Sequence, residues 1–169
     1  MDLTRRTAVA AAIGTFGTGV LVGREPGAPA GRDRLTESDR DVLVLVARVV
    51  FPSAISEPEP IVSAYVEDLH PNRRRAITAA IDELDRASRR RHGRGFATLD
   101  VDRGERILSG IGADRVHADP RGTTPERVRA FLVDGLLYAL FTRPAGTQLF
   151  GIENPLGHPG GVDSALGVD

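Results

Sequence analysis

The sequence contains no cysteine, no tryptophan and no lysine, so all 22 of its basic residues are arginine. The absence of cysteine excludes disulfides, thiolate catalysis, iron–sulfur clusters, covalently attached c-type haem and lipid-modified cysteine. The absence of lysine excludes Schiff-base chemistry and the lysine of a phosphate-binding loop. Aromatic residues make up only 5% of the chain, which predicts an aliphatic core. A formal net charge of −1 provides no overall field to attract nucleic acid or an anionic membrane.

Residues typical of catalytic or metal sites are few and lie far apart in the sequence. None of the four histidines has the spacing of a metal-binding motif: His70, His92, His117 and His158. His117 lies near Asp119, but an ordinary loop is favoured over a metal site there. The nucleophile pattern G-x-S-x-G is absent, and the glycines of 157–161 precede no predicted helix. The sequence therefore predicts no catalytic, cofactor-binding or metal-binding residue in this chain.

The first 30 residues have the organisation of an export signal. The paired Arg5 and Arg6 resemble the twin-arginine signal, which exports proteins already folded. An uncharged apolar run from Ala8 to Val22 follows, and it is shorter than the roughly 20 residues that a membrane-spanning helix needs. Ala28-Pro29-Ala30 has the small-x-small form of a cleavage site. The alternatives are an ordinary signal for unfolded export and an uncleaved anchor.

Residues 31–142 are predicted to form one all-α domain, a small bundle of about five helices. Its central helix is predicted at 123–142, where apolar residues recur at helical spacing and the second half is apolar on every face. Thr123 and Glu126 have the spacing of a capping box at its start, and Pro144 disfavours its continuation. A helix that is apolar all round is expected to lie among the others.

Four further helices are predicted before the central one, over 35–51, from about Pro60 to Pro71, over 72–92 and over 100–110. Thr36 with Asp39, and Asp100, are the expected N-terminal caps, and Gly93 suits a left-handed C-terminal cap. The segment 42–46 alone would also suit a buried strand, but length and capping favour a helix. Phe96 and Leu99 are expected to fill the core between the last two of these helices.

The charges of the helix predicted at 72–92 indicate a solvated face. Asp82 with Arg86, and Asp85 with Arg89, are expected to pair at i, i+4. The arginine runs at 73–75 and 89–94 have no interleaved aromatic residues for base stacking. They therefore predict a solvated surface or a patch for an acidic partner, and not a nucleic-acid site.

The last segment, 143–169, is predicted to be irregular because glycine, proline and asparagine dominate it. It nevertheless carries apolar residues, among them Leu149, Phe150, Ile152 and Leu156. An irregular segment with apolar anchors is expected to lie in a groove, either on its own domain or on a partner. The residues predicted to form a partner interface are Phe150, Gly151, Ile152, Glu153, Asn154, Leu156 and His158.

Several segments together carry a family resemblance: 35–52, Phe96-x-x-Leu99 followed by Arg106-Ile107-Leu108, 136–141, and Phe150-Gly151-Ile152 ahead of Gly157-His158-Pro159-Gly160-Gly161. With the helices and the export signal, they resemble the gluconate 2-dehydrogenase subunit 3 family, small accessory subunits of membrane-associated flavin-dependent dehydrogenases. Ile152-Glu153 stands where an aromatic residue is usual in that family, and Asn154-Pro155 is added before the final turn.

The resemblance implies a non-catalytic accessory subunit of a flavin-dependent sugar or polyol dehydrogenase complex, which assists folding, assembly and export of the catalytic subunit. It implies a large flavoprotein partner that carries FAD, and a cytochrome subunit or another acceptor for the electrons. The location implied is the outer side of the cytoplasmic membrane, with membrane contact only through the signal or the complex. The alternative is a free-standing exported helical domain that binds a small ligand or a cell-surface component.

Overall fold

A computed structural model describes residues 31–143 of the chain. Within that range the protein has five helices and no strand, which confirms the predicted all-α class. They are α1 (Glu37–Val50), α2 (Glu59–Glu67), α3 (Pro71–His92), α4 (Val101–Ile111) and α5 (124–141). The expected export signal at 1–30, with Arg5 and Arg6, and the tail from 144 onward, with its interface residues, lie outside the described residues. The proposed division into signal, domain and tail therefore stays a prediction.

Four of the five helices begin and end close to where the local sequence predicts, but α2 ends at Glu67, and Pro71 begins α3 instead of stopping α2. Thr36 and Asp39 form a complete capping box at the start of α1. Asp100 caps α4 by accepting a hydrogen bond from the backbone N–H of Arg103 at 2.8 Å. Gly93 ends α3 in the left-handed conformation with φ 68°. These signals succeed because each acts within three or four residues of its target.

Helix α5 is the central element of the bundle, as its composition predicts. It contacts the other four helices, and Val128, Leu132, Leu136 and Leu140 are fully buried along it. Phe96, in a short 3₁₀ turn at Phe96–Thr98, is the only aromatic residue among the largest fully buried side chains of residues 31–143. The core is therefore aliphatic, and Phe96 and Leu99 fill it as expected.

Helix α5 is not a uniform α-helix. It consists of an α segment (Thr124–Val128), a π segment (Arg129–Val133) and a second α segment (Asp134–Phe141). A π turn accommodates one extra residue and changes the direction in which the following side chains point. Nothing in the apolar spacing predicts it.

The residues ahead of α1 are bound to the helical body. The Arg32 guanidinium donates to both carboxylate oxygens of buried Asp39, at 3.0 and 2.8 Å, and to Asp82 at 3.0 Å. The Arg32 backbone N–H donates to the Thr78 hydroxyl at 2.7 Å, and Asp33 pairs with Arg75. We call Arg32, Asp39, Thr78 and Asp82 the N-terminal clasp. It joins the segment ahead of α1 to both α1 and α3.

The predicted ion pair of Asp82 with Arg86 is wrong. The Asp82 carboxylate binds Arg32 instead of Arg86, whose Nε donates to the Asp82 backbone carbonyl at 3.1 Å. The predicted pair of Asp85 and Arg89 is confirmed at 2.7 Å, although Asp85 also accepts the backbone N–H of Phe96 at 2.7 Å. The i, i+4 spacing makes an ion pair geometrically possible. For Asp82, however, a residue from elsewhere in the chain is placed better.

Candidate partner interface

Helix α5 ends at a corner beside the end of α2. The Thr142 hydroxyl donates to the carbonyl of Tyr138 at 2.8 Å and so closes the last turn of α5. The Arg143 guanidinium then pairs with Asp68, the residue that follows α2, at 3.2 Å. We call Asp68, Tyr138, Thr142 and Arg143 the exit corner. It fixes the point from which the predicted tail must start.

Beneath the exit corner, one helical turn earlier on both helices, Tyr65 of α2 lies against Gly135 of α5. A Cβ atom at position 135 would lie 2.4 Å from the Tyr65 hydroxyl oxygen, so no larger residue fits there without movement. The Tyr65 hydroxyl is buried and has no hydrogen-bond partner within residues 31–143. The Arg73 guanidinium lies close to it.

The electrostatics of this contact keep Tyr65 neutral. Burial raises the pKa of the Tyr65 hydroxyl above its usual value, and the nearby Arg73 charge offsets part of that rise. A buried neutral hydroxyl beside a guanidinium can hydrogen-bond a polypeptide carbonyl if the surface opens. Tyr138, one turn further along α5, is 49% exposed and is the large apolar side chain most open to solvent among the described residues. The corner therefore combines apolar area with polar groups, as protein interfaces do.

A second surface feature lies at the far end of α3. An open depression of about 400 Å³ separates the last turns of α3 from α4, lined by Ala87, Arg90, Arg91, Ile107, Gly110 and Ile111. Two of its arginines lie beside an apolar floor. The arginine run that the sequence predicts to be solvated or partner-binding therefore borders apolar surface as well as solvent. The depression is broad and shallow instead of enclosed.

One histidine of the described residues has a local structural role. His70 caps α3 by accepting the backbone N–H of Asn72 at 3.3 Å. His117 lies in the loop before α5, and its neighbour Asp119 accepts the backbone N–H of Arg121 at 2.8 Å. Residues 31–143 bring together no group of three or more potential metal ligands. No helix of that range is both long and apolar enough to cross a membrane.

Sequence reasoning misses the contact between Tyr65 and Gly135 and the N-terminal clasp. A glycine inside an apolar helical stretch is the one available signal for the first, because glycine costs helix stability unless close packing needs it. The predicted interface residues from Phe150 to His158 lie beyond the described range, so their placement stays a prediction.

Comparison with known proteins identifies one family. The family model described as Gluconate 2-dehydrogenase subunit 3 matches residues 37–160. The match begins at the first residue of α1, includes all five helices and continues through the predicted interface segment. Searches of curated proteins and of solved structures gave no match.

Proposed function

Since the chain belongs to the gluconate 2-dehydrogenase subunit 3 family, we propose that it is the non-catalytic accessory subunit of a flavin-dependent sugar or polyol dehydrogenase complex. The catalytic partner is a large flavoprotein that carries FAD, and a cytochrome subunit or another acceptor receives the electrons. The observation that carries the proposal is the extent of the family match. It spans the helical body and the segment after the exit corner as one unit.

The surface of the helical body supports a role in binding. The exit corner, which precedes the predicted interface segment in the sequence, combines a half-exposed tyrosine with an ion pair. That segment carries Phe150, Ile152 and Leu156 among glycines and prolines, a composition that suits an extended strap with apolar anchors. We propose that the residues from Phe150 to His158 bind the catalytic subunit.

The proposal includes export. Arg5 and Arg6 followed by an apolar run form a signal of the twin-arginine type, which carries folded proteins across the membrane. A flavoprotein must fold around FAD to hold it, so a catalytic subunit without its own signal would cross the membrane attached to this chain. The complex then works on the outer side of the cytoplasmic membrane.

Copurification with mutated anchors tests the binding role. The tagged full chain, purified from the membranes of the cells that express it, should retain a large protein together with a flavin absorbance spectrum. Replacing Ile152 and Leu156 by Asp should release the flavoprotein, because burial of two aliphatic anchors contributes ~3–6 kcal/mol, which is a factor of about a hundred or more in affinity. The circular dichroism of the helices should not change. Failure of the unaltered chain to retain a flavoprotein would refute the proposal, whereas melting of the variant would show that the tail belongs to its own core.

Export is tested separately from binding. Substitution of Arg5 and Arg6 by Lys should leave the complex intact but keep the catalytic subunit in the cytoplasm, because the receptor reads the arginine pair as an address. Fractionation followed by dehydrogenase assay measures the outcome. Normal export of the large subunit without residues 1–30 of this chain would remove the escort role and leave the binding role in place.

The alternative function, a free-standing domain for a small ligand, expects an enclosed pocket of a few hundred Å³. The depression between α3 and α4 has a comparable volume, but it opens broadly to solvent. An open depression suits a protein surface better than a small molecule.

A further inference from the structure

The depression between α3 and α4 is here called the arginine groove. Its lining residues repeat at helical spacing on both helices. Ala87, Arg90 and Arg91 are spaced by three and four residues on α3, and Ile107, Gly110 and Ile111 repeat that spacing on α4. Residues at this spacing lie on one side of a helix, so the two helices turn matching sides toward the groove.

The floor of the groove is apolar. Ile107 is 1% exposed and Ala87 is 8% exposed, so they form its base, while Ile111 is half-buried at its side. Gly110 leaves space for the neighbouring arginine: a Cβ atom at that position would lie 2.5 Å from Nη1 of Arg91. The Arg91 guanidinium therefore lies directly over the backbone of α4, beside the isoleucines.

The charge on the α3 side of this floor is positive. Arg90 and Arg91 form no ion pair within residues 31–143, although the preceding Arg89 pairs with Asp85. Exposed Arg86 and Arg94 add positive charge at the same end of α3. Glu83, the nearest acidic residue on this side of α3, is itself paired with Arg127 at 2.5 Å. Cations at a helix C-terminus are favoured by the helix dipole, but the dipole does not explain an apolar floor between them.

We propose that the arginine groove binds an acidic segment of the catalytic subunit. Carboxylates of that segment pair with Arg90 and Arg91, and an aliphatic side chain between them covers Ile107 and Ile111. The choice of a protein segment follows from the combination of charge with apolar area, since a nucleic acid would need stacking groups that the groove lacks. This inference rests on the proposed function and adds a second contact to it.

The groove and the exit corner lie at opposite ends of one long helix. Asp68 of the exit corner precedes the start of α3, and Arg91 lies in its last turn. Since α3 has 22 residues, the two surfaces are separated by about 33 Å along its axis. A partner held at both ends is held in one orientation. The groove therefore determines the orientation of the catalytic subunit as well as its affinity.

Charge reversal tests the groove on the intact chain with its catalytic subunit. The double variant Arg90→Glu and Arg91→Glu should bind at least ~10-fold more weakly at low salt, and the difference should shrink at high salt, because salt screens exposed charges. The matched control is Arg34→Glu with Arg40→Glu, which makes the same charge change at residues that form no ion pair within the described range. Equal affinity for the groove variant and the unaltered chain, or an equal loss in the control, would overturn the proposal.

A cross-link identifies the occupant. Because the chain has no cysteine, Ile111→Cys carries a photoactivated label at one site only, and Ser63→Cys on exposed α2 is the control. The label at 111 should join a peptide of the catalytic subunit that is rich in Asp and Glu. A cross-link to this chain's own residues 144–169, to lipid, or to a peptide without acids would refute the inference while leaving the accessory role intact. Absence of any bound flavoprotein with the unaltered chain would refute both.

Discussion

The Arg129 guanidinium and the Asp134 carboxylate, five residues apart on α5, form an ion pair with 2.6 Å between Nε and Oδ1. In a regular α-helix, residues five apart point about 140° away from each other, so such a pair does not form. The π segment from Arg129 to Val133 brings the two side chains to the same side. The ion pair therefore spans the π turn and stabilises it.

The two partners of this pair should contribute unequally. The side chain of Arg129 is 10% exposed and that of Asp134 is 23% exposed. Asp134→Ala leaves a nearly buried guanidinium without its carboxylate and should cost ~1–3 kcal/mol. Arg129→Met leaves a carboxylate that water can reach and should cost less. Urea unfolding of both variants measures the difference, and equal losses would show that the burial of Arg129 is unimportant.

The close contact between Tyr65 and Gly135 predicts a coupled pair of substitutions. Gly135→Ala gains about 1 kcal/mol in helix propensity, but its Cβ would lie 2.4 Å from the Tyr65 hydroxyl. We expect a net loss of ~1–3 kcal/mol. Tyr65→Phe removes the oxygen, so Gly135→Ala should cost less in that background. Thermal unfolding of the four proteins in this cycle measures the coupling.

Tyr65→Phe alone is the control for that cycle. The hydroxyl is buried without a partner in the described part of the chain. Its removal should therefore be neutral or slightly stabilising, because no well-formed hydrogen bond is lost and the desolvation cost is relieved. A loss above ~1 kcal/mol would reveal a hydrogen bond to Arg73, or to a residue or partner outside that range.

Interactions within a few residues were predictable from the sequence, and those between distant segments were not. Capping by Thr36, Asp100 and Gly93 depends only on the neighbouring turn. By contrast, the Asp82 carboxylate pairs with Arg32, which is 50 residues away in the sequence. The nearer Arg86 donates instead to the backbone carbonyl of Asp82. The π turn in α5 was not predictable from the sequence either, because the many apolar residues around it mask the change in spacing.

The same limit applies to the candidate interface. The sequence marks the arginine run of α3 as a possible surface for an acidic partner, but the apolar floor appears only when α4 lies beside it. Ile107 becomes part of that floor, and Ile111 part of its side, only because α4 packs beside α3. No property of either helix alone indicates this.

The N-terminal clasp predicts a graded loss of stability. Asp39 accepts hydrogen bonds from both Arg32 nitrogens and from the backbone N–H and hydroxyl of Thr36, at 2.6 to 3.0 Å. Asp39→Ala removes all of them and should cost ~2–4 kcal/mol. Arg32→Ala should cost ~0.5–1.5 kcal/mol, because the Arg32 side chain is 43% exposed and Asp39 keeps its capping bonds. Urea titration of the two variants tests this order, and the reverse order would contradict it.

The capping box of α5 should make stability depend on pH. The hydroxyl and the backbone N–H of Thr123 donate to Glu126, at 2.7 and 2.6 Å, and together they lower the pKa of that carboxyl below its usual value of 4.5. A lowered pKa in the folded state stabilises the fold above the unfolded-state pKa, and this stabilisation is lost as the pH falls through the folded one. Glu126→Gln should therefore flatten the acid limb of the stability curve.

Urea midpoints measured downward from neutral pH give that slope. The control is Glu105→Gln, an exposed carboxyl of α4 with no hydrogen bond to residues 31–143. It should leave the acid limb unchanged. A Glu126→Gln curve that parallels the unaltered protein below about pH 4.5 would show that the capping box does not hold the charge.

The N-terminal clasp also has a mechanical consequence. Tension applied to the chain ahead of Gly31 reaches Arg32 first, and from there it passes into α1 through Asp39 and into α3 through Asp82 and Thr78. The load is shared by two helices that are themselves seated on α5. Tension on the segment ahead of Gly31 should therefore load the bundle as a single body, and should not unfold it from α1 alone.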